Sequence, residues 1–285
     1  MLNGNLFCMG GKDSTSFRPE TMTTQITRCA AALAASLLAA LSPAQAADDT
    51  IATDRPDFVE SSNVVGKDRF QVETSLLLER DRSAAGRDRM FATPTLLRYG
   101  IGETFELRFE TDGRLDASST IGSTRSSASG YGDASLGVKW HALDAAGALP
   151  SLGVLLHADL DSGSRAFRGQ GVRPSLRVVG EWELPNDMSL GVMPGVGIDR
   201  DDTGRYRHGI LGVVVGKEIS PRLRGFVEVA MPHIARSAHG GTQATLDIGG
   251  AYLLSDTVQL DAMFAHGLNS RTPDAAFTLG LSFKL

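Results

Sequence analysis

Charged residues that alternate with apolar ones are the part of this sequence best equipped for chemistry. In Phe105-Glu106-Leu107-Arg108-Phe109-Glu110-Thr111-Asp112, the four charges share one parity, while Phe105, Leu107 and Phe109 share the other. A period of two is the strand period, so such a segment is polar on one face and apolar on the other. Extending the reading along the chain adds Lys139, Arg173, Arg177, Glu181, Glu183, Lys217, Arg222, Arg224, Glu228, Asp247 and Asp261 to the polar face. Acids and bases mixed on one enclosed face can do two things. They can pair into a network that fixes strand register, or they can line a wetted path whose field selects solutes.

A second charged cluster, Asp54-Arg55-Pro56-Asp57, precedes the first alternating segment. Pro56 has no N–H to donate to a ladder, which argues against a central strand there. The expectation is a plug or latch in which Arg55 pairs with inward carboxylates. The alternative is a tail that only caps one end of the fold.

Other chemistry is weakly signalled. The six histidines (His141, His157, His208, His233, His239 and His266) form no ligand pair of metalloenzyme spacing, so no metal and no cofactor are expected. The acidic run Asp199-Arg200-Asp201-Asp202-Thr203-Gly204 lacks calcium-loop spacing and reads as a solvated turn. His157 shares the polar parity with Ser135, Ser175 and Ser189, but no motif joins them into a nucleophile–base pair. The glycines at 191, 195 and 197 fall inside a strand, which excludes a phosphate loop.

The elements that must position these charges are strands. Twelve segments alternate, near residues 68–80, 92–101, 103–114, 130–142, 150–161, 171–184, 187–199, 205–219, 222–233, 242–254, 257–266 and 275–285. Typical apolar faces are Phe70, Val72, Leu76 and Leu78 in the first and Phe277, Leu279, Leu281 and Phe283 in the last. Connections alternate in length. Short ones fall at 100–102, 184–187, 220–221 and 255–256, and longer polar ones at 81–91, 113–129, 161–171, 199–205, 234–242 and 267–275. Segment 142–150 is longer than its class.

Short turns alternating with long loops, on strands of about ten residues, describe a transmembrane barrel. Glycine is frequent on the polar face (Gly153, Gly191, Gly195, Gly197, Gly212, Gly216, Gly249 and Gly280), which suits a crowded interior. The expected fold is therefore all-β, an antiparallel up-and-down barrel of about twelve strands with an apolar exterior and a charged lumen. Interface aromatics are sparse; Tyr99, Phe105, Tyr131, Trp140, Trp182, Tyr206, Tyr252 and Phe283 are the candidates for a girdle.

The N-terminus fits export to an outer membrane. Residues 29–47 are rich in Ala and Leu, follow Arg28, and end in Ala44-Gln45-Ala46, the pattern of a cleaved signal peptide. Met22 is the better start for such a peptide, so residues 1–21 read as an over-extended N-terminus and 22–47 as the signal. Residues 48–66 would be the periplasmic segment and 67–285 the barrel. Both cysteines, Cys8 and Cys29, lie in 1–47, leaving none for the mature chain. Residues 1–47 also carry three basic and two acidic side chains, so the whole-chain charge of −5 becomes −6. A mildly acidic exported chain is not a nucleic-acid binder. Its expected partners are outer-membrane lipid, a small-molecule solute and, during biogenesis, the barrel assembly machinery.

Several motifs resemble a family of outer-membrane transporters named for the MetA pathway of phenol degradation. They are Thr53-Asp54-Arg55-Pro56-Asp57-Phe58-Val59-Glu60-Ser61, Gln71-Val72-Glu73, and Leu97-Arg98-Tyr99-Gly100 followed by Phe105-Glu106-Leu107-Arg108. Gly132-Asp133 with Gly137-x-Lys139, Phe226-Val227-Glu228 and Gln259-Leu260-Asp261 continue the resemblance to the C-terminus. The chain departs from it at Leu160-Asp161-Ser162-Gly163, where the family often has Leu-Pro-Thr-Gly, and it ends in Leu285 rather than the Phe usual for such barrels. The resemblance implies passive uptake of small, aromatic or hydrophobic solutes. A closed structural or surface-interaction barrel working through loop 113–129 is the alternative expectation, and a lipid-modifying outer-membrane hydrolase is a third.

Overall fold

The computed structural model describes residues 50–83 and 86–285. The expected signal peptide, its expected cleavage site and the N-terminus read as over-extended lie outside the described residues. Fifteen strand segments follow in order: β1 (Phe70–Arg82), β2 (Gly86–Ala92), β3 (Thr95–Gly100), β4 (Phe105–Thr111), β5 (Arg114–Ile121), β6 (Thr124–Tyr131), β7 (Ala134–Leu143) and β8 (Ser151–Asp159). Then come β9 (Arg173–Leu184), β10 (Met188–Asp201), β11 (Gly204–Ser220), β12 (Leu223–Ile234), β13 (Gln243–Ser255), β14 (Val258–Gly267) and β15 (Ala275–Lys284). Every pairing is antiparallel between neighbours, and β15 pairs back with β1 from Gln71↔Lys284 to Arg80↔Ala275. The sheet therefore closes on itself, and no edge is left unpaired through the wall.

Fifteen segments make twelve barrel strands, because β2–β3, β4–β5 and β6–β7 are each one strand with a break. The breaks stack at one level. Pro94 removes a ladder donor between β2 and β3. Beside it, Gly113 adopts φ 64 between β4 and β5, and the Gly132 N–H reaches the Gly113 carbonyl at 2.9 Å. Asp133 then pins the next loop, accepting N–H groups from Ser162, Gly163 and Gly169 at 3.2, 2.8 and 2.8 Å.

The loop pattern needs correction. Segment 113–129 is not an open loop. It is a β5–β6 hairpin that turns at Gly122, and β5 also pairs with β2. Its Ser, Thr and Ala residues carry too little hydrophobic contrast for alternation to show. Likewise 81–91 and 199–205 shrink to the connections between β1 and β2 and between β10 and β11, because the strands run past the expected boundaries. The longest connections at this end are 160–172 and 235–242. At the other end the turns are tight except for 144–150; Asn186 and Asp187 close one of them in the left-handed region (φ 63 and 54).

The apolar parity faces outward. Leu156, Val196, Ile248, Phe264, Phe277 and Leu279 are among the exposed large side chains, as lipid contact requires. Phe105 and Trp140 stack outside the turn end with ring centroids 5.9 Å apart. Tyr206 does not join a girdle, because it sits on the inward parity of β11 against histidines. Leu279→Arg would set a charge on the lipid face. It should cost roughly 2–4 kcal/mol if the site is near the bilayer midplane. Denaturant unfolding in liposomes measures this, and a cost indistinguishable from zero would place the position at an interface.

Candidate functional site: a plugged lumen

Residues 51–66 run inside the barrel, and the wall is built to receive them. Ile51, Asp54, Val59, Glu60, Ser62 and Val65 are all buried. The segment forms no strand, so its backbone groups need side-chain partners. Wall carboxylates accept its N–H groups: Asp54 to Glu73 at 3.0 Å, Phe58 and Val59 to Glu228 at 2.7 Å each, Ser62 to Glu181 at 2.6 Å, and Val65 to Glu106 at 2.9 Å. Its carbonyls accept from wall donors. Arg98 reaches Ala52 and Asn63, each at 2.9 Å, and Lys139 reaches Ser61 at 2.8 Å.

The plug's own carboxylates complete a buried ion network. Asp54 lies 2.5 Å from Arg108, 2.7 Å from Lys139 and 3.4 Å from Arg98. Glu60 lies 2.7 Å from Arg177 and 2.8 Å from Arg108. Arg98 and Lys139 are 0% exposed; Arg98 is shared further with Glu73 and Glu106, and Lys139 lies 3.8 Å from Glu60. Burial pushes the Asp54 pKa up, but the Arg98, Lys139 and Arg108 charges outweigh it and hold the carboxyl well below the usual range. Farther along, Asp57 forms a two-pronged pair with Arg224 at 2.7 and 3.2 Å. Among the described residues Arg55 makes no close ion pair with a carboxylate; its guanidinium donates to the Ser75 hydroxyl at 2.8 Å.

The lumen is not uniformly charged. Around β1, β3, β4 and β7 the inner face carries Glu73, Arg98, Glu106, Arg108 and Lys139. Around β8–β12 it carries Leu155, Val179, Met193, Val214 and Phe226, which pack with Val59 and Phe58. The plug matches this split, with Asp54 and Glu60 toward the charged half and Phe58-Val59 toward the apolar half. Gly212 and Gly191 leave the room for Val59: a Cβ on Gly212 would stand 2.6 Å from Val59 Cγ2 and 2.8 Å from Phe58 Cδ1. Gly153 does the same for Ser62.

Most of the charges expected inside line the interior, in distinct places. Glu106, Arg108, Lys139, Arg177, Glu181, Arg224 and Glu228 contact the plug. Glu110 bridges Arg108 at 3.0 Å and lies 3.5 Å from His157. Arg173 sits at the loop end, 2.6 Å from Asp133. Asp247 is buried opposite Glu228 and accepts from Thr245 at 3.0 Å. Asp261 is buried beside Gly280, whose missing side chain leaves its space.

Four expectations are corrected. Lys217 falls on the outward parity of β11, 45% exposed, 3.2 Å from Asp187 in a turn. Glu183 is exposed at the turn-end rim, and Asp112 sits in the β4–β5 break rather than in a strand. Arg222 is likewise an exposed turn residue. Sequence reasoning also missed Glu60, Gln71, Glu73 and Arg98. Strand parity contained the signal for three of them, since Val72, Leu97 and Tyr99 face out and their neighbours must face in.

A closed twelve-strand antiparallel barrel with an apolar outside and a polar, segment-filled inside defines an outer-membrane β-barrel. The family described as "Putative MetA-pathway of phenol degradation" matches residues 53–285, and the chain belongs to it. No curated protein matches the chain at significant similarity. Among solved structures, an outer membrane channel from Pseudomonas putida F1 matches with TM-score 0.59 at 10% identity, covering 85% of this chain and 100% of that one. The NanC porin matches with TM-score 0.48 at 12% identity (75% and 100% covered). The CymD monoaromatic hydrocarbon channel matches with TM-score 0.40 at 9% identity (77% and 88% covered).

Proposed function

We propose that the barrel is a passive outer-membrane channel for small aromatic or hydrophobic solutes, with residues 50–66 as its gate. The observation that carries this reading is the two-faced interior. A path opened by displacing the plug would have the Leu155, Val179, Met193, Val214 and Phe226 strip on one side and paired charges on the other. Such a path suits solutes with an apolar body and a polar handle, whereas a sugar would leave the strip unsatisfied. The family membership and the Pseudomonas putida channel fold support the same reading. The similar structure from Pseudomonas putida is a channel, which supports a non-enzymatic role. In addition, His157 Nδ1 faces Glu110 rather than a serine.

The test is swelling of proteoliposomes in isosmotic phenylalanine or in a sugar of similar size, with the full mature chain and with a chain lacking 50–66. Phenylalanine should enter at least about three times faster than the sugar, and the deletion should speed both. The second reading, a closed structural barrel, draws on the many hydrogen bonds and ion pairs that hold the plug. It would prevail if neither protein admits either solute.

A further inference from the structure

At the loop end of the barrel, away from the plug network, three inward side chains from adjacent strands converge. Asp199 stands on β10, His208 on β11 and His233 at the end of β12, with one ligand atom of each within 4.8 Å of the others. The sequence separates them, and the sheet brings them together. Tyr206 and His208 share the inward parity of β11 with Ile210 and Gly212. His233 should face outward, since Arg224, Phe226, Glu228 and Ala230 face in. Register shifts between Gly209 and Leu211 against β12, and between Ala230 and His233 against β13, reverse that parity and turn His233 inward. Bulges commonly re-aim a side chain in this way. Gly197, opposite His208, is the cradle: a Cβ there would collide with the His208 imidazole Nε2.

The hydrogen bonds around the rings fix them as ligands. His233 Nδ1 is 3.0 Å from the Gly241 carbonyl and His208 Nδ1 is 3.3 Å from the Gly209 carbonyl. A carbonyl can only accept, so each Nδ1 carries the proton and each Nε2 keeps its lone pair. The Tyr206 hydroxyl lies 3.2 Å from His233 Nε2 and 3.4 Å from Asp199 Oδ2, so it already touches two of the three ligand groups. The Asp199 Oδ1 is held by the Arg200 N–H at 2.7 Å. The opposing charges are Arg173, whose Nε is 3.7 Å from Asp199, and Arg177, whose charge reaches His208. The Arg173 Nε makes no hydrogen bond, and its guanidinium is committed to Asp133 at 2.6 Å. Asp199 is therefore ion-paired with Arg173 but not hydrogen-bonded to it.

We propose that Asp199, His208 and His233 form a binding site for a borderline divalent transition-metal ion of the zinc class, clamping β10, β11 and β12 at the mouth of the barrel. Two imidazoles and a carboxylate suit zinc and its neighbours. Magnesium and calcium prefer all-oxygen sites. Binding would draw the ligand atoms to about 3.3 Å apart, as metal bonds of about 2.0–2.2 Å in a tetrahedron require. The Tyr206 hydroxyl would swing aside or take the fourth position. His239 lies outside the triad. It stacks on Tyr206 with centroids 4.1 Å apart and pairs with Asp201 at 2.7 Å.

The test uses tag-free mature protein, freed of metal by a chelator and titrated calorimetrically with zinc chloride. One zinc per chain is expected, with no heat from magnesium. His208→Ala and His233→Ala should each weaken binding at least about 100-fold, the upper range for loss of a mere outer partner. His239→Ala should change it less than about threefold. Unmutated protein provides a readout independent of variant folding: zinc should shield His208 and His233 from acylation by diethyl pyrocarbonate, read by mass spectrometry, while His266 stays reactive. Absence of stoichiometric binding, binding that survives both alanine variants, or no shielding of His208 and His233 would overturn the proposal.

Discussion

Asp54→Ala should lower folding stability by roughly 3–5 kcal/mol, the cost of removing one partner from a buried ion network. Asp54 is the one plug carboxylate that touches Arg98, Arg108 and Lys139 together. It also accepts the Ser61 N–H at 2.9 Å, which folds the plug back on itself. Without it, three buried cations keep only Glu60, Glu73, Glu106 and Glu110, which already share them. Asp54→Asn keeps the shape and should recover part of the loss. The pH dependence carries a sign that can be checked. The folded pKa of Asp54 lies below the ordinary carboxylate value of about 3.9. Its contribution is therefore complete above that value and is lost only as pH falls through the lower folded pKa. The stability gap between the wild type and Asp54→Ala should then stay constant from about pH 8 to about pH 5. Urea unfolding in liposomes at several pH values measures both. A gap below about 1 kcal/mol would show that water enters and screens the cations when the plug charge is removed.

The second large effect concerns the gate. Ser62 on the plug and Ser151 at the start of β8 have hydroxyl oxygens 2.5 Å apart. A chain expressed from residue 48 has no cysteine, since Cys8 and Cys29 precede it. A Ser62→Cys, Ser151→Cys double variant therefore introduces the only two thiols, placed where a bond of about 2.05 Å needs little adjustment. Oxidation should fix the plug to the wall, and reduction should free it. If the solute path requires displacement of residues 50–66, the oxidised protein should pass phenylalanine at no more than about a tenth of the reduced rate. Equal rates in the two states would mean that solutes pass beside a seated plug, or that the barrel works without a gate. A single-cysteine control separates the cross-link from the substitution.

The sequence by itself determined the wall. Alternation is a property of neighbouring residues along one strand, so parity is visible without any partner. That is why Glu106, Arg108, Lys139, Arg177 and Glu228 could be assigned to the lumen from their apolar neighbours alone. The same rule reaches Gln71, Glu73 and Arg98 when applied to every strand. Parity failed where contrast or regularity failed. The Ser-rich β5–β6 hairpin has almost no apolar face to alternate. Lys217 sits at a strand end where the pattern gives way to a turn.

Tertiary structure alone decided what the interior charges are for. Asp54 and Glu60 lie in a segment with no periodicity, and only the closed barrel brings them to the cations that need them. The lumen read as charged throughout, but along β8–β12 an apolar strip runs among the charges. Leu155, Val179 and Met193 lie on the inward parity of strands whose outward faces are apolar too, so neither face stands out. The Asp199–His208–His233 cluster was equally hidden. Its members come from three strands, and a bulge turned His233 against the parity of its own strand. Spacing along a chain reports only what one strand or helix can align, and these constellations are made by register between strands.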